Sequence, residues 1–263
     1  MVWRFFCLLG FFSGLSDVGI VTLTPETLQG FDNYVKTAEA RLDRQAASRQ
    51  FLWSDGVKGA AQKLQHGQVL AEPWVGEGDI GIPGGLIHDW VGAVFISAAR
   101  MDAVIRMVED YDRAKVSYKP DVMDSKLLSH TDDDFTVSMR LLKKNVLTVV
   151  LNTVHEVHYT RVSDTRWYSR SRSTRMAEVV NPGEPGEREL APGKDHGFLW
   201  RLNSYWRFEE RDGGVYVECE AISLSRGVPV GLGWMINPII RTLPRQSLTN
   251  TLRFTRDAFK PAR

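Results

Sequence analysis

The stretch 198-FLWRLNSYWRFEERDGGVYVECEAISLSRGVP-229 decides the fold. Phe198, Trp200, Leu202, Ser204, Trp206 and Phe208 alternate with Arg201, Asn203, Tyr205 and Arg207, the period-two signature of a strand with one apolar face. Asp212-Gly213-Gly214 supplies a tight turn, and Val215, Val217, Cys219 and Ala221 repeat the apolar face on the return strand. Glu218 then falls opposite Arg207 on the other face, as a cross-strand charge pair. Beyond Pro229 an amphipathic segment runs to the C-terminus. A hairpin that feeds a long closing helix predicts an antiparallel sheet with that helix packed on its apolar face.

Working back from this hairpin, strands are expected near 121–129, 134–143, 147–161, 166–180, 198–210 and 214–226, joined mostly by short links. A further strand covers 86–96, followed by a helix over 101–111. The Pro/Gly/charge-rich stretch 181–197 is expected to be a mobile loop. Phe135, Val137, Met139 and Leu141 share one buried face. Pairing Phe135 with Thr153 places Val149, Leu151, Thr153, His155, Val157 and Tyr159 on that face too. Pairing Glu156 with Arg172 adds Ser169, Ser171 and Ser173, whereas the other register would bury Arg170 and Arg172. Arg140, Glu156, Arg170, Arg172, Arg207 and Glu218 are then expected to form a solvated outer surface.

Ahead of the sheet, Thr24-Pro25-Glu26 reads as a helix start, with threonine as N-cap and proline in the first turn. Leu28, Phe31, Val35, Ala38 and Leu42 carry that helix to about residue 47, and a shorter one covers 59–65. Residues 24–68 are too few for a core of their own and read as a helical extension packed on the main domain, 69–263. Residues 1–23 open with one Arg before a short apolar run, which reads as a signal peptide and a secreted or periplasmic location. A cytoplasmic location is the alternative, because no clean cleavage motif follows. The run is too short to span a bilayer, and no later stretch is long and apolar enough for an integral membrane segment.

Composition narrows the chemistry. A net charge of +1 gives no basis for nucleic-acid binding. Two cysteines, Cys7 and Cys219, exclude a disulfide framework and a cysteine-based zinc site. The glycine-rich stretch 76–85 reads as a loop, and it lacks the Gly-Lys-Ser/Thr of a phosphate loop. No Gly-x-Ser-x-Gly elbow and no His-Glu-x-x-His occurs. His155 and His158 are three apart on a strand and so face opposite ways, which leaves no shared metal. Asp132-Asp133-Asp134 reads as a solvated turn. Neither metal nor cofactor is expected, and nothing in the sequence sets an oligomeric state.

The order strand, helix, meander of strands and closing helix resembles the START-like superfamily of polyketide cyclases, coenzyme Q-binding proteins and birch-pollen allergens. The resemblance spans roughly 69–260 and rests on 87-IHDWVGAVFI-96, 110-DYDRAKVSYKPDVMDSKLL-128 and 204-SYWRFEERDGGVYVECEAISLSRGVP-229. It implies an α+β helix-grip fold of about seven curved antiparallel strands around a C-terminal helix. It also implies a cavity that takes a lipid, isoprenoid or polyketide-like molecule. This sequence departs from the family in its N-terminal extension and in Pro238 and Pro244, which are expected to kink the closing helix or divide it in two. Leu232, Ile236, Ile239, Ile240 and Leu243 would face the bowl.

The residues expected to line the cavity are Trp90, Met139, Leu151, Thr153, His155, Ser171, Ser173, Trp200, Ser204, Trp206, Ile236 and Ile240. Small hydroxyls scattered over an apolar bowl leave volume and orient a ligand. Binding or carriage of a hydrophobic small molecule is therefore the leading expectation. A cyclase- or dehydratase-type enzyme using His155 as acid or base is one alternative, and a partner-binding protein with a filled cavity is another.

Overall fold

The computed structural model describes residues 23–144, 148–191, 193–227 and 233–260, and for 233–241 only the backbone. Residues 1–22 of the expected signal peptide fall outside these residues, as do Leu232 and the side chains of Ile236, Ile239 and Ile240.

The chain begins with α1 (Pro25–Ala46) and α2 (Ala60–Gln65), then β1 (Leu70–Pro73), β2 (Asp79–Ile82) and β3 (Gly85–Ser97). Helices α3 (Met101–Glu109) and α4 (Ala114–Ser117) precede a meander of β4 (Val122–Thr131), β5 (Asp134–Lys144), β6 (Thr148–Ser163) and β7 (Arg166–Val180). After the short β8 (Arg188–Glu189) come β9 (Arg201–Arg211), β10 (Gly214–Arg226) and α5 (Gly233–Asp257). All described strands join one curved antiparallel sheet in the order β1-β3-β10-β9-β7-β6-β5-β4, with β2 on β3 and β8 on β7. This is the α+β helix-grip fold, built from ten described strands rather than about seven. The three unexpected strands have four residues or fewer, too few for an alternating pattern to show. Two of them lie inside stretches expected to be loops, 76–85 and 181–197.

The deciding hairpin closes as the sequence requires. Asp212 (φ 56°) and Gly213 (φ 74°) both adopt left-handed backbone, the condition for a two-residue turn matching strand twist. Glu218 pairs with Arg207, and Glu156 with Arg172. The β5–β6 register is corrected: Phe135 faces Val157, and Thr153 faces Met139. The displacement is an even number of residues, so every side chain keeps its expected face.

The two faces of the sheet are covered differently. On the inner face α5 lies across β3, where Leu248 and Leu252 pack with Trp90, Val94, Val217 and Cys219. Gly92 permits this approach, since a Cβ there would lie 2.7 Å from Leu252 Cδ1 and 2.6 Å from the Leu70 carbonyl oxygen. Helix α5 carries both Pro238 and Pro244 in one element, so the expected division into two pieces is corrected. A proline forfeits one helical hydrogen bond, and here the helix continues past the loss into the turns that pack on the sheet.

On the outer face α1 lies along the sheet. Its Thr24 N-cap accepts from the Thr27 amide. Its stripe of Phe31, Val35, Ala38 and Leu42 packs on Ile87, Trp200, Tyr205, Ile222 and Leu224. Phe51, Leu52 and Leu64 of the following segment cover Ala93, Phe95 and Tyr216. The extension thus buries outer-face surface that was expected to be solvated.

Candidate functional site

Between the inner face and α5 lies a cavity of about 670 Å³. Six of the twelve expected residues line it: Met139, Leu151, His155, Ser171, Ser204 and Trp206. Ile236 and Ile240 fall among the side chains outside the described residues.

The remaining four are placed elsewhere. Trp200 packs under α1 on the outer face and donates its indole N–H to Asp195 at 2.8 Å. The cause is local: β9 begins only at Arg201, and Gly197 (φ 70°) breaks the alternation before it, so Leu199 lines the cavity instead. Trp90 is on the inner face but beneath Leu248 and Leu252, in the part α5 covers. Thr153 is buried, donating to the Met139 carbonyl at 3.2 Å and lying 3.0 Å from His155 Nε2. Ser173 is taken up by the backbone, its oxygen accepting from the Leu202 amide at 2.9 Å.

Several lining residues were not expected. His88, Ser223 and Ser225 extend the polar part of the floor. The signal was available, because the inner-face positions Cys219 and Ala221 continue by twos to Ser223 and Ser225, and His88 sits opposite Ser223. Tyr111 and Tyr159 line the other end, with hydroxyls 2.9 Å apart. Tyr111 follows α3 and had no partner that sequence spacing could reveal. Tyr118 also lines the cavity, its hydroxyl 3.1 Å from Thr255 Oγ1. Lys143, near the end of β5, and Arg226, the last residue of β10, are the cations that line it among the described residues.

Burial sets the charge state of this space. It lowers the pKa of His88 and of His155 to about 4, so both imidazoles are neutral at pH 7. Burial also lowers the Lys143 pKa, against the pull of Asp121. It pushes the Tyr118 hydroxyl up to about 12 and the Cys219 thiol well above its ordinary value, which keeps that thiol unreactive. No group of three or more His, Cys, Asp or Glu side chains able to hold a metal occurs among the described residues. His155 and His158 do face opposite ways: His158 is exposed and 2.8 Å from Asp134.

The outer face handles its charges by pairing. Arg207 and Glu218, expected to be solvated, form a buried pair at 2.6 Å, and Glu218 also accepts from the Trp53 and Ser54 amides at 2.9 and 3.1 Å. Burial raises the Glu218 pKa, opposed by Arg207 and these amides. Arg172 and Arg170 pair with Glu39 and Asp43 of α1. Arg41 of α1 reaches Glu220 at 2.5 Å, and Tyr34 donates to Asp89 at 2.7 Å. Asp89 is fully buried beside Glu220, and burial holds its pKa well above the usual carboxylate range.

No family model and no curated protein matches this chain. Among solved structures, it is similar to a fragment of a STAR-related lipid transfer protein from Xanthomonas axonopodis. Identity is 20%, with 67% of this chain and 99% of that one covered and a TM-score of 0.41. A Streptomyces aromatase/cyclase is 10% identical over 66% of this chain and 93% of its own, with a TM-score of 0.45. A START superfamily protein from Mycobacterium smegmatis is 9% identical over 66% and 96%, with a TM-score of 0.42. These likenesses concern the fold and carry no site residue over to this chain.

Proposed function

We propose that this protein binds or carries an apolar small molecule between its sheet and α5. One observation carries the reading: a cavity of about 670 Å³ lined mainly by aliphatic and aromatic side chains, with a few polar groups on its floor. Ligand sites have this size and composition, and a space this large is costly to leave lined by apolar side chains with nothing in contact. Met139, Leu151, Trp206 and Phe208 would contact the ligand body, and His155, Ser171 and Ser204 would orient it.

Native mass spectrometry of the purified chain tests this. An apolar adduct, lost on denaturation and exchangeable for a fluorescent hydrophobic probe, is the expected result. A spectrum without adduct, together with no probe uptake, would overturn the reading.

A further inference from the structure

The polar groups of the cavity floor are not scattered. His155, Ser171, Ser204, Ser223 and His88 lie on five successive strands of the sheet, β6, β7, β9, β10 and β3. The register joins them. Ser171 faces Ser204 directly, Ser223 faces His88 directly, and the other two steps are diagonal by one residue pair. At ordinary strand spacing the band runs about 19 Å across the floor. Leu151 and Leu202 flank it on one side, and Val157, Trp206 and Cys219 on the other.

The hydrogen-bond state of the band decides what it can receive. Ser171, Ser204 and Ser223 make no side-chain hydrogen bond among the described residues, although Ser173 on the same strand does. With the Thr153 hydroxyl proton assigned to the Met139 carbonyl at 3.2 Å, Thr153 Oγ1 accepts from His155 Nε2–H at 3.0 Å. Likewise the Ser225 hydroxyl donates to the Arg226 carbonyl and accepts from His88 Nε2–H. A neutral imidazole that donates through Nε2 keeps a bare lone pair on Nδ1. His88 Nδ1 is buried with no partner among the described residues, and His155 Nδ1 makes no hydrogen bond among them. Both ends of the band are thus acceptors, and its centre is three hydroxyls able to donate or accept.

From this we infer that the ligand is an uncharged apolar body carrying two or more hydroxyl groups along its length, rather than an anionic head on a single chain. A carboxylate or phosphate has only acceptors, which two imidazole lone pairs repel. Burying it on this floor would cost its hydration without a cation to replace it. The cations that line the cavity, Lys143 and Arg226, belong to strand ends and not to the band. The inference rests on the cavity reading above and narrows it.

Three probes on one rigid skeleton separate the cases: 4,4′-bis(hydroxymethyl)biphenyl, 4,4′-diacetylbiphenyl and biphenyl-4,4′-dicarboxylate. Titration calorimetry on the full chain should show the diol binding about tenfold tighter than either of the others. His155→Phe should lower diol affinity about tenfold and leave the diacetyl compound within twofold, whereas the triple variant Ser171→Ala/Ser204→Ala/Ser223→Ala, which removes donors that both compounds can use, should weaken both. Two outcomes overturn the inference while leaving the cavity reading intact. One is the diacetyl compound or the dicarboxylate binding as tightly as the diol. The other is a diol preference that survives in His155→Phe when its melting curve shows a folded chain. Failure of the diol to bind at all also overturns it, and an adduct-free native spectrum from the same preparation would place that failure in the cavity reading itself.

Discussion

The same strands present two faces that treat polar groups in opposite ways. On the outer face of β9 and β10, Arg207, Glu218 and Glu220 are buried under the N-terminal extension, and each has a charged or backbone partner. On the inner face, Ser171, Ser204 and Ser223 border empty volume and have no partner among the described residues. The contrast separates two uses of polarity. Paired groups under α1 fix where the extension sits, whereas unpaired groups beside a void are available to a molecule from outside.

The largest expected effect breaks the outer face. Glu218→Ala leaves Arg207 buried without its anion and should cost about 3–5 kcal/mol in denaturant unfolding, as should Arg207→Ala. Phe31→Ala empties the centre of the α1 stripe, with an expected loss of about 3–5 kcal/mol. A loss below about 1 kcal/mol in all three variants would mean that the extension does not share the fold's cooperative unit.

The inner face has a pH signature. His88 and His155 titrate near 4 in the fold, against 6.5 ordinarily, so between those values the unfolded chain binds protons that the native chain refuses. Stability is present above pH 6.5 and is lost as pH falls toward 4, by up to about 3 kcal/mol per imidazole. His88→Gln/His155→Gln should flatten this part of the stability profile relative to the unsubstituted chain. Asp89 and Glu218, with raised pKa values, act in the opposite sense, so the difference between the two profiles is the quantity to measure.

A smaller effect sharpens the contrast. Ser204→Leu adds bulk to the cavity and should change stability by no more than about 1 kcal/mol, while uptake of a hydrophobic probe falls at least about tenfold. The same enlargement at a filled outer-face site, such as Ala38→Leu, should destabilise by about 1–3 kcal/mol. Smallest of all, Cys219 should not react with an aromatic disulfide reagent until the chain unfolds, because burial holds its thiol protonated.

Much of the sheet was legible because strand periodicity is local information. The six strands from 121 to 226, the Asp212-Gly213 turn and the Glu156–Arg172 and Arg207–Glu218 registers follow from alternation and turn chemistry. Half of the expected cavity residues line it for the same reason. The misses also have local causes. Trp200 precedes its strand and escapes the alternation, and Ser173 meets a backbone amide on the neighbouring strand. Ser223 only continues the alternation of Cys219 and Ala221, whereas His88 needed the β3–β10 pairing, which joins residues 135 positions apart.

By itself the sequence determined which of the longer segments are strands, which residues within them share a face, and how α1 begins. Each of these depends on residues only a few positions apart. Tertiary structure alone decided that α1 covers the outer face, that Arg207 and Glu218 are buried rather than solvated, and that α5 leaves about 670 Å³ open over a band of neutral polar groups. The physical reason is that alternation tells two faces apart but does not name what covers each of them. Burial, and with it charge state and free hydrogen-bonding capacity, is set by remote elements that meet only in the folded chain.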